Sequence, residues 1–133
     1  MIKRIPEGLK GWPVVGPYSP ALEVSPGRFL FAGIIVDLDA DKQPATSDRN
    51  GQILHVLLKC LRALEACGLR ARDLVRFQVK LAGSMDGYAY LNDLMATHYA
   101  SDLPFPVRDV IAPAALPANV HVEIIMEAIR QEE

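Results

Sequence analysis

The sequence predicts a single α+β domain over residues 1–133, with the element order strand, strand, helix, strand, helix, strand, strand. Three observations predict it. Leucines recur at helical spacing from Gln52 to Gly68, and residues 75–81 alternate apolar with polar side chains. Turn residues punctuate the remainder without a repeat or a linker long enough to divide domains. With 133 residues, half of them apolar, the chain can bury a core of its own.

Residues 21–24 and 28–36 flank Ser25-Pro26-Gly27, turn chemistry that predicts a hairpin of two strands. Residues 37–48 are polar and contain Pro44, which makes them a loop, and Ser47 or Asp48 can cap the helix that follows. That helix presents Leu54, Leu57, Leu58, Leu61, Leu64 and Leu69 and stops at Gly68. Val75, Phe77, Val79 and Leu81 alternate with Arg76, Gln78 and Lys80, the pattern of a strand with one solvated face. A second helix is expected over residues 86–99. Pro104 and Pro106 break the chain before a strand at 107–112, and residues 113–119 separate it from a last strand at 120–129. Two helices covering one face of such a sheet leave its other face open, a physical reason to expect association.

Several function classes are excluded on composition and spacing. The net charge is −2 and the basic residues are scattered, so no nucleic-acid partner is expected; Arg70, Arg72 and Arg76 read as a solvated helix end and strand start. The apolar run at 29–36 is far shorter than the roughly 20 residues of a spanning helix. Met1-Ile2-Lys3-Arg4 leads into Pro6 and Gly8 rather than an apolar leader, so the expected location is cytoplasmic, with no membrane partner. Cys60 and Cys67 are one face but roughly 10.5 Å apart along a helix, beyond disulfide reach. They read as packed thiols, with Cys67 reactive if exposed.

Metal and cofactor sites are not expected either. Asp37, Asp39 and Asp41 imitate the start of a calcium loop, but Lys42 stands where that loop needs glycine and Asp48 where it needs a bidentate glutamate. His55, His98 and His121 have no metal-ligand spacing with each other or with the cysteines. No glycine-rich phosphate loop occurs, and Ser19 lacks the flanking glycines of a nucleophile elbow, so it reads as a turn residue.

Arg108 is more informative. It enters an apolar strand directly after Pro104-Phe105-Pro106, where a guanidinium is held in place, and arginine suits two-pronged carboxylate recognition. Glu123 lies on the next strand, and the two are equidistant from the middle of the connection near Ala115 and Leu116, so they are expected across from each other. Two readings stand at this point: a grip on a ligand carboxylate, or a cross-strand ion pair of modest value.

Gly16-Pro17-Tyr18-Ser19-Pro20, Phe31-Ala32-Gly33, Gln52 with Leu57 and Gly68, Asn92, Pro106-Val107-Arg108, and Leu116-Pro117 with Val122-Glu123-Ile124 together run nearly end to end through the chain. In these residues and their spacings the sequence resembles the Rid family, also called the YjgF/YER057c/UK114 family of reactive-intermediate deaminases. The resemblance implies a chorismate-mutase-like ββαβαββ fold, two helices on one face of a mixed sheet, and a homotrimer with sites between subunits. It also implies hydrolysis of enamine and imine acids such as 2-aminoacrylate to a 2-keto acid and ammonia, the 2-iminobutanoate/2-iminopropanoate deaminase activity, without metal or organic cofactor.

By the same resemblance Arg108 binds the substrate carboxylate, Glu123 holds or activates water, Tyr18 lines the site and Asn92 supports the cleft, with Ala32, Gly33 and Val110 beside the substrate. The chain departs from the family pattern at Ala32 (usually serine), Ile34 (usually glutamine), Lys59 (usually asparagine), Asp109 and Val110, which implies an altered pocket. Three alternatives accompany the deaminase reading: a pathway-specific deaminase of an amino-substituted unsaturated acid, a non-catalytic ligand-binding or chaperone-like trimer, favoured by Ala32, and the ribonuclease activity attributed to some relatives, which the acidic balance disfavours.

Overall fold

In the computed structural model, which describes residues 4–46, 48–99 and 104–131, the first hairpin forms where the turn residues place it. Strand β1 (Ala21–Ser25) pairs antiparallel with β2 (Arg28–Phe31) around Pro26-Gly27, and Ala21, Glu23, Phe29 and Phe31 turn inward. Met1 to Lys3 and the expected Ser47 cap lie outside the described residues. Strand β2 stops at Phe31, short of the expected 36, because Ala32 donates its N–H to Pro20 instead. The chain then rejoins the sheet through a single bridge, Ile34 to Ile124.

Helix α1 (Arg49–Ala66) begins three residues before Gln52, capped by Asp48, whose Oδ2 accepts the N–H of Gly51 at 2.8 Å. Gly68 closes its end in the left-handed region, φ 72°. Its buried face is Ile53, Val56, Leu57, Cys60, Ala63 and Leu64. This corrects the expected face: Leu58 is exposed, and Leu54 and Leu61 are half-buried on its flanks. Buried Gln52 joins α1 to the sheet's end, donating to the Thr46 carbonyl at 2.8 Å and accepting from the His121 N–H at 2.7 Å.

Strand β3 (Leu74–Leu81) turns Phe77, Val79 and Leu81 into the core as expected, but an irregular register between Leu74 and Arg76 gives the fourth inward place to Leu74 rather than Val75. Helix α2 (Tyr88–His98) starts two residues later than expected and carries the chain to β4 (Val107–Ile111), which runs parallel to β3. The last strand, β5 (Val122–Ile129), is antiparallel to both its neighbours, and the sheet order is β1-β2-β5-β3-β4.

Strands β4 and β5 therefore do not form a hairpin. The connection between them crosses the end of β3, where Gly83 donates to the Pro113 carbonyl on one side and Ala82 to the His121 carbonyl on the other. In its inner place β5 is paired along both edges and buries Val122, Ile124, Met126 and Ala128, all 1% exposed or less. At an edge it would forfeit half of those backbone bonds.

Both helices lie on the face formed by these inward residues, as the α+β reading requires. Both cysteines are free: Cys60 is buried in the core, and burial pushes the half-buried Cys67 thiol up to about 11, so neither is a reactive thiolate. No helix among the described residues is long and apolar enough to cross a membrane.

Glu23 is the one acid that β1 turns inward. It accepts from the Gly27 N–H at 3.0 Å and from Arg4 Nε at 2.9 Å, and these bonds hold its carboxyl below the usual 4.5. A depressed carboxyl contributes stability above its unfolded value and loses it as pH falls through the folded one. Glu23→Gln should therefore lower Tm at pH 7, and the difference from wild type should shrink as the pH is taken from 5 towards 3; thermal melts across that range check it.

Candidate functional site

The residues singled out from the sequence divide into two groups. Arg108 stands opposite Phe77 in the β3–β4 register, so it faces the helix side of the sheet, towards α2. Its Nη1 donates to Asn92 Oδ1 at 2.8 Å and to Met95 Sδ at 3.4 Å, and its Nη2 donates to the Tyr88 hydroxyl at 3.0 Å. The guanidinium carbon also lies 5.4 Å from the centre of the Tyr88 ring. Every one of these partners is neutral, and among the described residues no carboxylate pairs with Arg108. A cavity of about 330 Å³ opens here, lined by Asn92, Met95, Ala96, Phe105, Pro106 and Arg108. Val110 lies two residues along the same strand face, opposite Val79.

The second group is on the other side of the sheet. Glu123 stands opposite Lys80, an odd number of residues from Phe77 along β3, so its side chain faces away from the helices. Lys80 Nζ approaches Glu123 Oε1 at 3.3 Å. Gly33 passes so close that a Cβ there would lie 2.5 Å from Glu123 Oε2. Tyr18, Ala32, Gly33, Pro117 and Glu123 line an open groove of about 620 Å³. The Tyr18 hydroxyl accepts from the Val15 N–H at 3.3 Å, and Tyr18 also lines a smaller cavity of about 60 Å³ together with Trp12, Ile35 and Lys59. Lys59 itself is spent on the Ile35 carbonyl at 3.0 Å and Asp37 at 2.8 Å, which holds the Asp37 carboxyl below its usual range.

The expected juxtaposition of Arg108 with Glu123 is thus overturned within one chain. Strand β3 lies between their strands, and the two side chains leave opposite faces of the sheet. The ion-pair reading of Arg108 falls with it. Tyr88 and Met95 escaped the reading of the sequence, although with Asn92 they stand at i, i+4 and i+7 of α2, a spacing that marks one helix face. Lys80, the partner of Glu123, was read only as one of a solvated strand face. Among the described residues, no group of three or more His, Cys, Asp or Glu is placed to hold a metal ion.

Residues 11–130 match the family model described as Endoribonuclease L-PSP. A 2-iminobutanoate/2-iminopropanoate deaminase of Dermatophagoides farinae is 27% identical over 110 residues, 83% of this chain and 83% of that protein. Among solved structures, a candidate endoribonuclease of Thermotoga maritima superposes with a TM-score of 0.81 at 28% identity, over 98% of this chain and all of the other. RidA from an Antarctic Psychrobacter gives 0.74 at 26% identity, over 88% of this chain and 91% of its own.

The tight approach of Gly33 to Glu123 generates a prediction. Gly33→Ala should fold, because the contact is with the far end of a flexible side chain, but it should displace the carboxylate from Lys80 at a cost of about 1 to 3 kcal/mol. Denaturant melts and a crystal structure of the variant check both parts; an unmoved Glu123 would contradict the geometry.

Proposed function

The chain belongs to the Endoribonuclease L-PSP family, which is the Rid family, and from that premise we propose that it is a hydrolytic deaminase of small carboxylate-bearing imine and enamine acids, 2-aminoacrylate or a near relative. The observation that carries the reading is the company of Arg108: a half-buried guanidinium held by an amide oxygen, a hydroxyl and a thioether keeps its full positive charge. A ligand carboxylate is the natural counter-ion, gripped by two parallel N–H bonds.

Because Arg108 and the Tyr18–Gly33–Glu123 groove face away from each other, one chain supplies two half-sites. The complete site, on this proposal, joins Arg108, Asn92 and Val110 of one copy to Tyr18, Ala32, Gly33 and Glu123 of the next, in a homotrimer. The enamine first takes a proton on its terminal carbon and loses one from nitrogen, which gives the imine. Water held by Glu123 adds to the imine carbon, the proton passes to nitrogen, and the carbinolamine collapses to the 2-keto acid and ammonia. The imine carbon is already electrophilic, so orientation and one placed water supply the acceleration. Neither metal nor organic cofactor has a part in it.

The ribonuclease description carried by the family model and by the Thermotoga structure fits this chain less well, since a net charge of −2 offers little to a phosphate backbone. Ala32, in the groove beside Glu123, favours a second reading, a trimer that binds carboxylates without turnover. Ammonia release from freshly generated 2-aminoacrylate separates the two.

Two outcomes are expected. Arg108→Lys should remain folded yet lose about 2 to 5 kcal/mol of binding or transition-state energy, against the ~0 to 1 kcal/mol of an exposed ion pair; near-normal kinetics would refute the carboxylate grip. Arg108→Ala and Glu123→Gln should each be inactive alone, but subunits refolded as an equal mixture should regain about a quarter of wild-type activity, the fraction of shared sites that receive both intact residues. A mixture that stays inactive, or a monomer by light scattering, would place the site elsewhere.

A further inference from the structure

A hydroxyl that accepts a hydrogen bond from a guanidinium has its own proton to give. The Tyr88 oxygen takes the Nη2 bond of Arg108 at 3.0 Å, and among the described residues nothing accepts from the Tyr88 O–H. Tyr88 is 40% exposed, at the start of α2, with its ring turned so that Arg108 sits over it. On the other arm of the guanidinium, Asn92 Oδ1 and Met95 Sδ occupy Nη1. A carboxylate arriving at Arg108 therefore meets the Nε and Nη2 side of the fork, and Nη2 is the nitrogen on which the Tyr88 hydroxyl rests.

We propose that Tyr88 is a further substrate-binding residue, whose hydroxyl donates to the carboxylate gripped by Arg108. The inference rests on the carboxylate-grip reading of Arg108 and extends it to a second donor. The chain of bonds runs from Arg108 Nη2 to the Tyr88 oxygen and from the Tyr88 proton to the ligand, so each bond polarises the next. The phenol ring adds its π face to the cation, which fixes the plane of the fork before the ligand arrives. Met95 and Asn92, lower on the same helix face, hold the opposite nitrogen and prevent the end-on grip. The site in this way favours a carboxylate presented side-on.

Tyr88→Phe tests this, because it keeps the ring, the cation contact and the packing, and removes only the hydroxyl. The probe is 2-oxobutanoate, a stable carboxylate of the product class, with binding measured by calorimetry on wild type, Tyr88→Phe and Arg108→Ala. Steady-state kinetics are followed in parallel on imine generated in place from an amino acid. We expect Tm to stay within about 2 °C and binding to weaken about tenfold or more, as loss of a hydrogen bond to a charged group does. KM should rise by a similar factor while kcat changes by less than about twofold, a split that a merely structural role would not produce. If wild type and Tyr88→Phe bind equally while Arg108→Ala does not bind, the inference about Tyr88 is wrong and the grip stands. If Arg108→Ala binds as well as wild type, the grip itself fails and the inference falls with it.

Discussion

Strand β5 fills the gap between β2 and β3, and the chemistry of the molecule follows from that one insertion. Its inward residues close the core against the helices, and the same strand presents Glu123, Ile125 and Glu127 to the opposite side. By taking the inner place it leaves β4 as an edge strand, reached from β3 only through α2. A strand delivered by a helix packs under that helix, and this puts Arg108 within bonding distance of Tyr88, Asn92 and Met95 rather than of any acid on β5. Had β4 and β5 formed the hairpin their adjacency suggests, Arg108 would have met the Glu123 carboxylate in place of the neutral groups that now hold it.

The environment of Arg108 is built from residues of low charge and high constraint. Pro104 and Pro106 bracket Phe105 immediately before β4, which fixes φ at two of the three residues leading into that strand. One face of α2 then supplies a hydroxyl, an amide oxygen and a sulfur, enough to orient the fork without cancelling its charge. Holding a cation with dipoles alone costs stability in the free protein, because the desolvated charge is not repaid by an opposite one. On the proposed function, a ligand carboxylate would repay that cost.

The local elements were legible because their periods are strong. Residues 75–81 alternate without exception, and the leucines of α1 leave no other period for that segment. The face of α1 was less legible: the recurrence of leucines points to Leu54, Leu58 and Leu61, whereas the core takes Ile53, Val56, Cys60 and Ala63 beside Leu57 and Leu64. The pairing of β5 was not legible at all, since period two identifies a strand and its faces but carries no information about its neighbours. Arg108 and Glu123 were both singled out, but the local reason for joining them, a shared hairpin, does not exist: β3 lies between their strands. Tyr88 and Met95 needed the helix register and the strand order together, and only the folded chain supplies both.

The open face of the sheet gives the physical ground for association. Its rows mix apolar side chains, Leu22 and Leu30 beside Ile125, Val107 and Ile111, with polar groups that already have partners. Arg28 pairs with Glu127 at 2.9 Å, Lys80 with Glu123 at 3.3 Å, and Gln78 with Asp109 at 3.0 Å. Isolated charges would make such a face expensive to dehydrate, while a wholly apolar one would invite aggregation during folding. Paired charges interleaved with aliphatic residues lower the cost of covering the face and still keep it soluble beforehand. Glu123 belongs to this set as well as to the groove with Tyr18 and Gly33, so covering the face by another copy would dry the carboxylate and fix it against Lys80. In a drier surrounding a hydrogen bond from a held water to the carboxylate would strengthen, so on the proposed homotrimer assembly and completion of the site would be one event, with the helix-side Arg108 of one copy brought to the groove of the next.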